Sequence, residues 1–368
     1  MNIVIIGIRG LPANYGGFET CAENTSSYWV KKGHNVLVYC RWHLYDKRPD
    51  KINGVRLKYV SSVRTKSLDT ISHSFLCLLD LILWEKQYRY VHLYNTGNAI
   101  FIPILKLLRK KVIISVDGIE WKRKKWGKLA KSIHKLGEKI AVKYADRIVT
   151  DNKVVEAYYK EKYNKITSTV AYGAKMLSSN YQNEDETLQQ FGLKKKEYSI
   201  FVGRLVPEKG VHHLIDAYKK LKTSFPLVII GDDNENEYRN SLFSNKSGSI
   251  IFTGYVYGTE YEILLKNAYL YVSASELEGT SPSLLAAMGA EVCALVNGID
   301  ENRQTIQDCA YCFEVNNFDD LRETWQRLLD TPDLITEMSK KGYNHCIDVY
   351  NWDTISQEYL DLFGETNE

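Results

Sequence analysis

Cysteine is sparse. Seven residues scattered over 368 positions do not make a disulfide framework, which removes the small secreted scaffolds and points to a reduced compartment. The single close pair, Cys309-x-x-Cys312, has no second pair and no histidine cluster beside it, so it reads as a chance spacing in a strand rather than a zinc site. Long apolar runs are also missing. The most apolar stretch, Phe75 to Trp84, is too short for a bilayer span and contains Asp80; a core helix is expected there. No secretory signal precedes Met1-Asn2-Ile3-Val4-Ile5-Ile6, which already reads as a buried strand, and a cytoplasmic location is the expectation. There is neither a repeat with a period of roughly 20–50 residues nor a low-complexity tract.

Net charge is small as well, only +3, but it hides an asymmetry. Residues 1–175 carry 32 Lys and Arg against 14 Asp and Glu, whereas residues 176–368 carry 16 against 31. A half this basic is expected to face something anionic: lipid headgroups, a polyprenyl diphosphate or nucleic acid. The blander alternative is a solvated surface whose two halves attract each other.

What is present is a repeated α/β rhythm on a chain too long for one core. Strands are predicted at Ile3–Ile8, Asn35–Cys40, Tyr90–Tyr94, Lys111–Val116 and Arg147–Thr150. Helices are predicted at Gly17–Lys32, Leu68–Lys86, Ala99–Leu108, Lys128–Tyr144 and Val154–Tyr163. The pattern then restarts, with strands at Ser199–Val202, Leu227–Ile230, Ser249–Thr253, Leu270–Ser273 and Cys293–Val296 and helices from Val211, Asn236, Tyr261 and Pro282. The polar segment Ser178 to Lys196 lies near the linker. Two Rossmann-like, doubly wound domains facing a central cleft are expected: residues 1–175, residues 176–350, and a C-terminal helix in 351–368 that crosses back to the first domain.

Three stretches carry chemistry. Glu278-Gly279-Thr280-Ser281-Pro282-Ser283 reads as a strand end, an acidic turn and an abrupt helix start, with Ser281 as N-cap and Pro282 at the first helical position. Backbone N–H groups there, backed by the helix dipole, suit a phosphate, and Glu278 beside them suits sugar hydroxyls. Gly203-Arg204-Leu205-Val206-Pro207-Glu208-Lys209-Gly210 follows the first strand of the second domain. Arg204 offers a planar fork and Lys209 a point charge, a pair suited to hold a diphosphate without a metal; two solvated loop cations are the alternative. In Gly7-Ile8-Arg9-Gly10-Leu11-Pro12-Ala13-Asn14-Tyr15-Gly16-Gly17-Phe18-Glu19 the glycine spacing is not the dinucleotide fingerprint G-x-G-x-x-G. The Gly16-Gly17 pair still allows a ligand close to the backbone at a helix start.

These words in this order resemble the family-4 retaining glycosyltransferases of the GT-B fold. Arg9-Gly10-Leu11-Pro12, Tyr15-Gly16-Gly17-Phe18-Glu19, Asp117-Gly118-Ile119-Glu120-Trp121-Lys122-Arg123-x-x-Trp126, Thr280-Ser281-Pro282-Ser283-Leu284-Leu285 and Tyr350-Asn351-Trp352 look narrower still, like the bacterial rhamnosyltransferase subgroup that builds cell-surface polysaccharides. The resemblance covers essentially the whole chain. It implies a nucleotide diphosphate sugar on the C-terminal domain and the acceptor on the N-terminal one. Arg204 and Lys209 would neutralise the leaving diphosphate, with backbone groups around Thr280 and Ser281 binding its oxygens. Glu278 and Gly279 would hold the donor sugar, and Gly16 and Gly17 would close over it. Asp117 would stand with Glu278 among the catalytic groups, although an Asx turn before Gly118 explains it as well. No Asp-x-Asp word stands at a strand end and Asp232-Asp233 lacks the spacing, so no metal and no cofactor are expected.

Trp121-Lys122-Arg123-Lys124-Lys125-Trp126-Gly127-Lys128 mixes two indoles with five cations. It suits an interfacial membrane contact or a lipid-diphosphate docking site, against the plainer reading of an exposed loop. No nucleic-acid fold motif accompanies it, so no nucleic-acid partner is expected.

One departure stands out. The family motif is Glu, seven residues and a second Glu, usually followed by Ala-Met. Here the second acid is Ala286, with Ala287-Met288 in register. That acid typically grips the ribose, so Ala286 marks the nucleotide ribose position. Glu276 and Glu291 lack the helical spacing to replace it, and Glu291 itself stands where the family commonly has glycine. The expected protein is therefore a retaining glycosyltransferase, cytoplasmic and peripheral at the inner face of the cell membrane. It would move rhamnose from a thymidine diphosphate donor to a polyprenyl-diphosphate-linked saccharide, with activity weakened by Ala286. The alternative is a catalytically degenerate sugar-nucleotide-binding or assembly partner. A sugar-nucleotide epimerase on the same fold is disfavoured by the Tyr15–Glu19 and Asp117–Trp126 words.

Overall fold

The structure is a computed structural model that describes the chain except residues 15, 66–67, 117, 123–126, 178–180, 234–236 and 366–368. It forms two compact units, Met1–Tyr172 with Trp352–Glu368, and Gly173–Asn351.

The first unit runs Asn2–Ile6 (β1), Gly17–Lys31 (α1), Asn35–Arg41 (β2), Lys51–Ile52 (β3), Val55–Val60 (β4), Asp69–Leu83 (α2), Tyr90–Tyr94 (β5), Ile102–Leu107 (α3), Lys111–Val116 (β6), Lys128–Tyr144 (α4), Arg147–Thr150 (β7), Lys153–Tyr163 (α5) and Ser168–Thr169 (β8). Its sheet has the order β3-β4-β2-β1-β5-β6-β7-β8. All pairs are parallel except the β3–β4 hairpin. Parallel strands need crossover helices on both faces, so their side chains are apolar on both sides. On one face Val4, Ile6, Tyr39 and Leu93 pack with Leu78, Leu105, Ala141 and Tyr159 from α2 to α5. On the other, Trp29 of α1 donates its indole N–H to the Ser356 carbonyl at 2.9 Å and meets Phe363 edge-on at 5.6 Å. Both partners lie on the last helix, Trp352–Glu365 (α14).

The second unit comprises Glu184–Gln190 (α6), Ser199–Val202 (β9), Val211–Tyr218 (α7), Leu227–Ile230 (β10), Glu237–Phe243 (α8), Ile250–Gly254 (β11), Gly258–Lys266 (α9), Leu270–Ser273 (β12), Pro282–Gly289 (α10), Cys293–Asn297 (β13), Asp300–Ile306 (α11), Tyr311–Phe313 (β14), Phe318–Asp330 (α12) and Pro332–Val349 (α13). Its six strands are parallel in the order β11-β10-β9-β12-β13-β14. Trp325 of α12 is fully buried against this sheet and donates to the Ser199 hydroxyl at 3.2 Å.

One expectation needs correction. The apolar run at Phe75 to Trp84 is not a core helix throughout: Cys77, Leu78 and Leu81 are buried, but Phe75, Leu83 and Trp84 are 46%, 57% and 67% exposed. The sheet covers only one face of α2, so the other keeps its apolar side chains in solvent. The polar segment near the linker also carries a helix, α6, anchored by the buried Leu188 and by Asn267 donating to Glu184 at 2.6 Å. Among the described residues no helix is long and apolar enough to cross a membrane.

Two imidazoles are sealed in the first unit. His92 on β5 is fully buried, its Nε2 2.8 Å from the Ser115 hydroxyl, and burial lowers its pKa from 6.5 to about 3. His73 on α2 is likewise buried and lowered to about 4. The unfolded chain protonates both below pH 6.5 while the folded one does not, so acid favours unfolding. Stability is intact above pH 6.5 and falls as pH drops toward 3–4, by about 1.4 kcal/mol per pH unit for each histidine. Replacing His92 with Gln is expected to make this loss shallower in urea titrations at pH 7 and pH 5. An unchanged pH dependence would contradict the assignment.

Candidate active site

In the second unit the chain crosses leftward from β9 to β10 and rightward from β12 to β13. The loops after β9 and β12 therefore leave the carboxyl ends of adjacent strands at a topological switch point, where open α/β sheets bind ligands.

The loop after β9 is pinned to the one after β12. Pro207–Lys209 forms a short 3-10 turn closed by Gly210 at φ +63°. A Cβ on Gly210 would collide with the Ala274 carbonyl, so only glycine permits this approach. The Glu208 carbonyl then accepts from the Glu276 N–H at 2.9 Å and from the Ser275 hydroxyl at 3.3 Å. Asn297, fully buried on β13, donates to the Ser275 carbonyl at 3.1 Å and to Asn316 at 2.8 Å.

This lattice brings Lys209 and Glu278 together: the ammonium bonds the carboxylate directly, with side chains only 18% and 9% exposed. A half-buried pair of this kind fixes both rotamers, leaving the remaining ammonium protons and carboxylate lone pairs for a ligand. Arg204, on the same loop, is half-buried and makes no ion pair among the described residues. Asp232 is already engaged by Arg239 at 3.0 Å, and that bond holds its carboxyl below the usual carboxylate range.

Helix α10 starts as the sequence suggests, with Ser281 extended at the N-cap position and Pro282 at N1, but no side chain caps it. The Ser281 hydroxyl instead lies 3.2 Å from that of Ser283, which meets the Tyr271 hydroxyl at 3.0 Å. Thr280, Ser281 and Gly279 are buried beside the helix start. Ala286 lies on the half-exposed stripe of α10 with Ser283. Glu291 ends the same helix at φ +57°. Its N–H bonds the Met288 carbonyl at 3.0 Å and the Val292 N–H bonds that of Ala287 at 3.0 Å. This is a Schellman ending, whose left-handed residue is ordinarily glycine; that accounts for the glycine the family commonly has there, and nothing in the structure explains Glu291 in its place.

In the first unit, Gly16 precedes α1 with extended backbone, φ −163°, and a Cβ on it would meet only Glu19 at an ordinary 3.5 Å. The fold does not demand glycine there, in contrast to Gly10, at φ +131° against Cys40. Gly17 is the first residue of α1. Two carboxylates of α1 hold the preceding loop: Glu19 accepts from the Arg9 N–H at 2.8 Å and Glu23 from the Ala13 N–H at 3.1 Å. Burial raises the Glu19 pKa. Trp121 and Lys122 lie in a 3-10 turn, and the Trp121 indole donates to the Tyr158 hydroxyl at 3.0 Å. Asp117, Arg123, Lys124, Lys125 and Trp126 lie outside the described residues.

Sequence reasoning missed two features. Glu208 is buried, with one carboxylate oxygen lacking a hydrogen-bond partner; its place beside Lys209 was the available signal. His212, His213 and Glu276 bring ligand atoms within 4.8 Å of one another, a set suited to an imidazole-favouring divalent ion. Only tertiary structure brings Glu276 to the adjacent histidines.

The similarities to known proteins fit this geometry. Residues 183–345 match the family described as Glycosyl transferases group 1. Residues 1–175 match a Domain of unknown function (DUF1972). An uncharacterised glycosyltransferase of Methanocaldococcus jannaschii is 26% identical over 289 residues, covering 73% of this chain and 72% of that one. The alpha-monoglucosyldiacylglycerol synthase of Acholeplasma laidlawii is 23% identical, covering 60% and 59%. Among solved structures, a sucrose-phosphate synthase from Thermosynechococcus elongatus has a TM-score of 0.83 at 17% identity, covering 99% and 98%. HepE of Anabaena, in complex with UDP and glucose, reaches 0.82 at 12% identity over 99% and 100%. The fold is thus the two-domain, Rossmann-like GT-B architecture.

The second unit carries a local cost at Glu291. Substituting Gly for Glu291 is expected to stabilise it by about 1 kcal/mol, raising its calorimetric Tm by roughly 2–4 °C. A fall in Tm would contradict the helix-ending geometry.

Proposed function

We propose that the protein transfers a sugar from a nucleoside diphosphate donor, held by the second unit, to a saccharide carried on a polyprenyl diphosphate. The observation that carries this reading is the Lys209–Glu278 pair at the switch point of a unit that matches the glycosyltransferases. As the glycosidic bond to the donor breaks, negative charge grows on the leaving diphosphate. Lys209, Arg204 and the N-terminal dipole of α10, with the backbone around Thr280 and Ser281, stabilise that charge. Glu278 and Gly279 orient the sugar through its hydroxyls, while a part for Gly16 and Gly17 of the first unit rests on the sequence resemblance alone. Asp117 assists at the reacting carbon. Two cations and a helix end suffice for the diphosphate, so the proposed chemistry needs no metal or other cofactor.

Support for the donor class comes from HepE, solved with UDP-glucose on the same fold. Support for a lipid acceptor comes from the Acholeplasma synthase, named for a glucosylated diacylglycerol, and from the basic first unit. Retention of configuration, a thymidine diphosphate rhamnose donor, a role in cell-surface polysaccharide assembly and a peripheral place on the anionic inner face of the cell membrane rest on the sequence resemblance. Ala286 favours a second reading, a sugar-nucleotide-binding assembly partner without turnover.

A transfer assay with thymidine, uridine and guanosine diphosphate sugars and a polyprenyl-diphosphate-linked acceptor separates the two. Transfer from one donor is expected. Ala286→Glu adds a carboxylate on a half-exposed stripe, so it folds without burying a charge, and is expected to tighten the donor about tenfold to a hundredfold. No transfer from any donor, even with Ala286→Glu, would overturn the transferase reading and leave the second.

A further inference from the structure

The first unit contains a basic, aromatic-walled pocket of 530 Å³ that takes in Trp121 and Lys122 of the basic-aromatic word and joins to them residues the sequence did not connect. It is lined by Trp121, Lys122, Lys135, Lys139, Tyr158, Lys162 and Tyr163. Its walls come from three elements: the turn at Glu120–Lys122, helix α4 and helix α5. Lys135 and Lys162 lie over the Trp121 ring at 4.5 and 5.1 Å, and Lys122 faces the Tyr158 ring at 6.0 Å. Ring faces hold ammonium groups without neutralising them.

The acid count is low. Glu138, 2% exposed, takes hydrogen bonds from the hydroxyls of Tyr158 and Tyr163 at 2.9 and 2.8 Å and from Lys162 at 3.2 Å. That carboxylate fixes the floor and answers one lysine. Lys135 and Lys139, one turn apart on α4, are exposed and make no ion pair among the described residues. Among the described residues, Lys135 and Lys139 therefore bring charge to this concavity with no acid paired to them, an arrangement a compact polyanion relieves.

We propose that this pocket seats the diphosphate of the lipid-linked acceptor. The shared chemistry of the ligand is a phosphate-rich anion, and two observations favour one attached to a lipid. The neighbouring stripe of α4 exposes Leu129 and Leu136, 77% and 52% accessible. Helix α3, packed on α4, exposes Leu107 at 84% and Ile104 at 43%. An anionic head in the pocket thus leaves its chain beside an apolar strip that water otherwise covers. The inference rests on the acceptor reading only for the name of the ligand; nucleotide binding by the second unit is measured separately, so the two fail independently.

The test is calorimetry on the full chain with farnesyl diphosphate and with inorganic pyrophosphate, alongside flotation with phosphatidylglycerol–phosphatidylcholine vesicles. The expected result is farnesyl diphosphate at least about tenfold tighter than pyrophosphate, with that binding lost in Lys135→Glu/Lys139→Glu. Both positions are exposed, so the variant is expected to fold and to keep the wild-type affinity for nucleoside diphosphates. Equal binding of the two diphosphates assigns a free-anion site and overturns the proposal. Vesicle binding that the variant abolishes, with no farnesyl diphosphate binding, assigns a membrane-surface contact and overturns it too, as does unchanged binding by the variant.

Discussion

A lysine bonded to a glutamate across the ends of two adjacent parallel strands is the constraint around which the second unit is arranged. Lys209 and Glu278 sit on loops that would drift apart without Gly210, whose left-handed backbone lets one loop touch the Ala274 carbonyl. The Glu208 carbonyl, Ser275 and Asn297 extend this contact inward to β13. A half-buried ion pair is a weak source of net stability, because desolvation offsets most of its attraction. Its value lies in position: on the proposed reading, a cation for phosphate and an anion for hydroxyls are held in register before any ligand arrives.

The two ends of helix α10 show how local structure and chemistry divide the work. At its start, Ser281 and Ser283 bond each other and Tyr271 rather than capping the helix, so the dipole end is not answered by a side chain. At its close, Glu291 occupies a left-handed position that glycine fills at lower cost. Between them, Ala286 stands on the half-exposed stripe with Ser283. On the proposed reading the helix keeps a phosphate-binding start and lacks the acid that would hold the ribose.

Much of the fold was legible because parallel strands buried on both faces write themselves as unbroken apolar runs. Tyr90–Tyr94, Lys111–Val116, Arg147–Thr150, Ser199–Val202 and Leu270–Ser273 stand where those runs begin and end. The hairpin of β3 and β4 was missed although Asn53-Gly54, at φ 50° and 80°, carries a recognised turn signal. Helix α6 was hidden because a single buried leucine, Leu188, anchors an otherwise polar segment. In the site, Lys209 and Glu278 were legible separately, each from its motif, but their bond was not, since a tertiary approach of two loops, permitted by Gly210, creates it. The pocket around Trp121 was half legible: its turn was basic and aromatic in sequence, whereas Lys135, Lys139 and Lys162 join it only through the packing of α4 and α5.

The central claim is that the loops after β9 and β12 form a diphosphate clamp. Its most direct test is calorimetric titration of the full chain with thymidine, uridine and guanosine diphosphates, for the wild type and for Arg204→Ala. Arg204 pairs with no acid among the described residues, so its removal strands no buried charge. The account predicts that one nucleoside diphosphate binds the wild type and that Arg204→Ala weakens it about tenfold to a hundredfold, with Tm unchanged. No binding by the wild type, or equal binding by the variant, would contradict it.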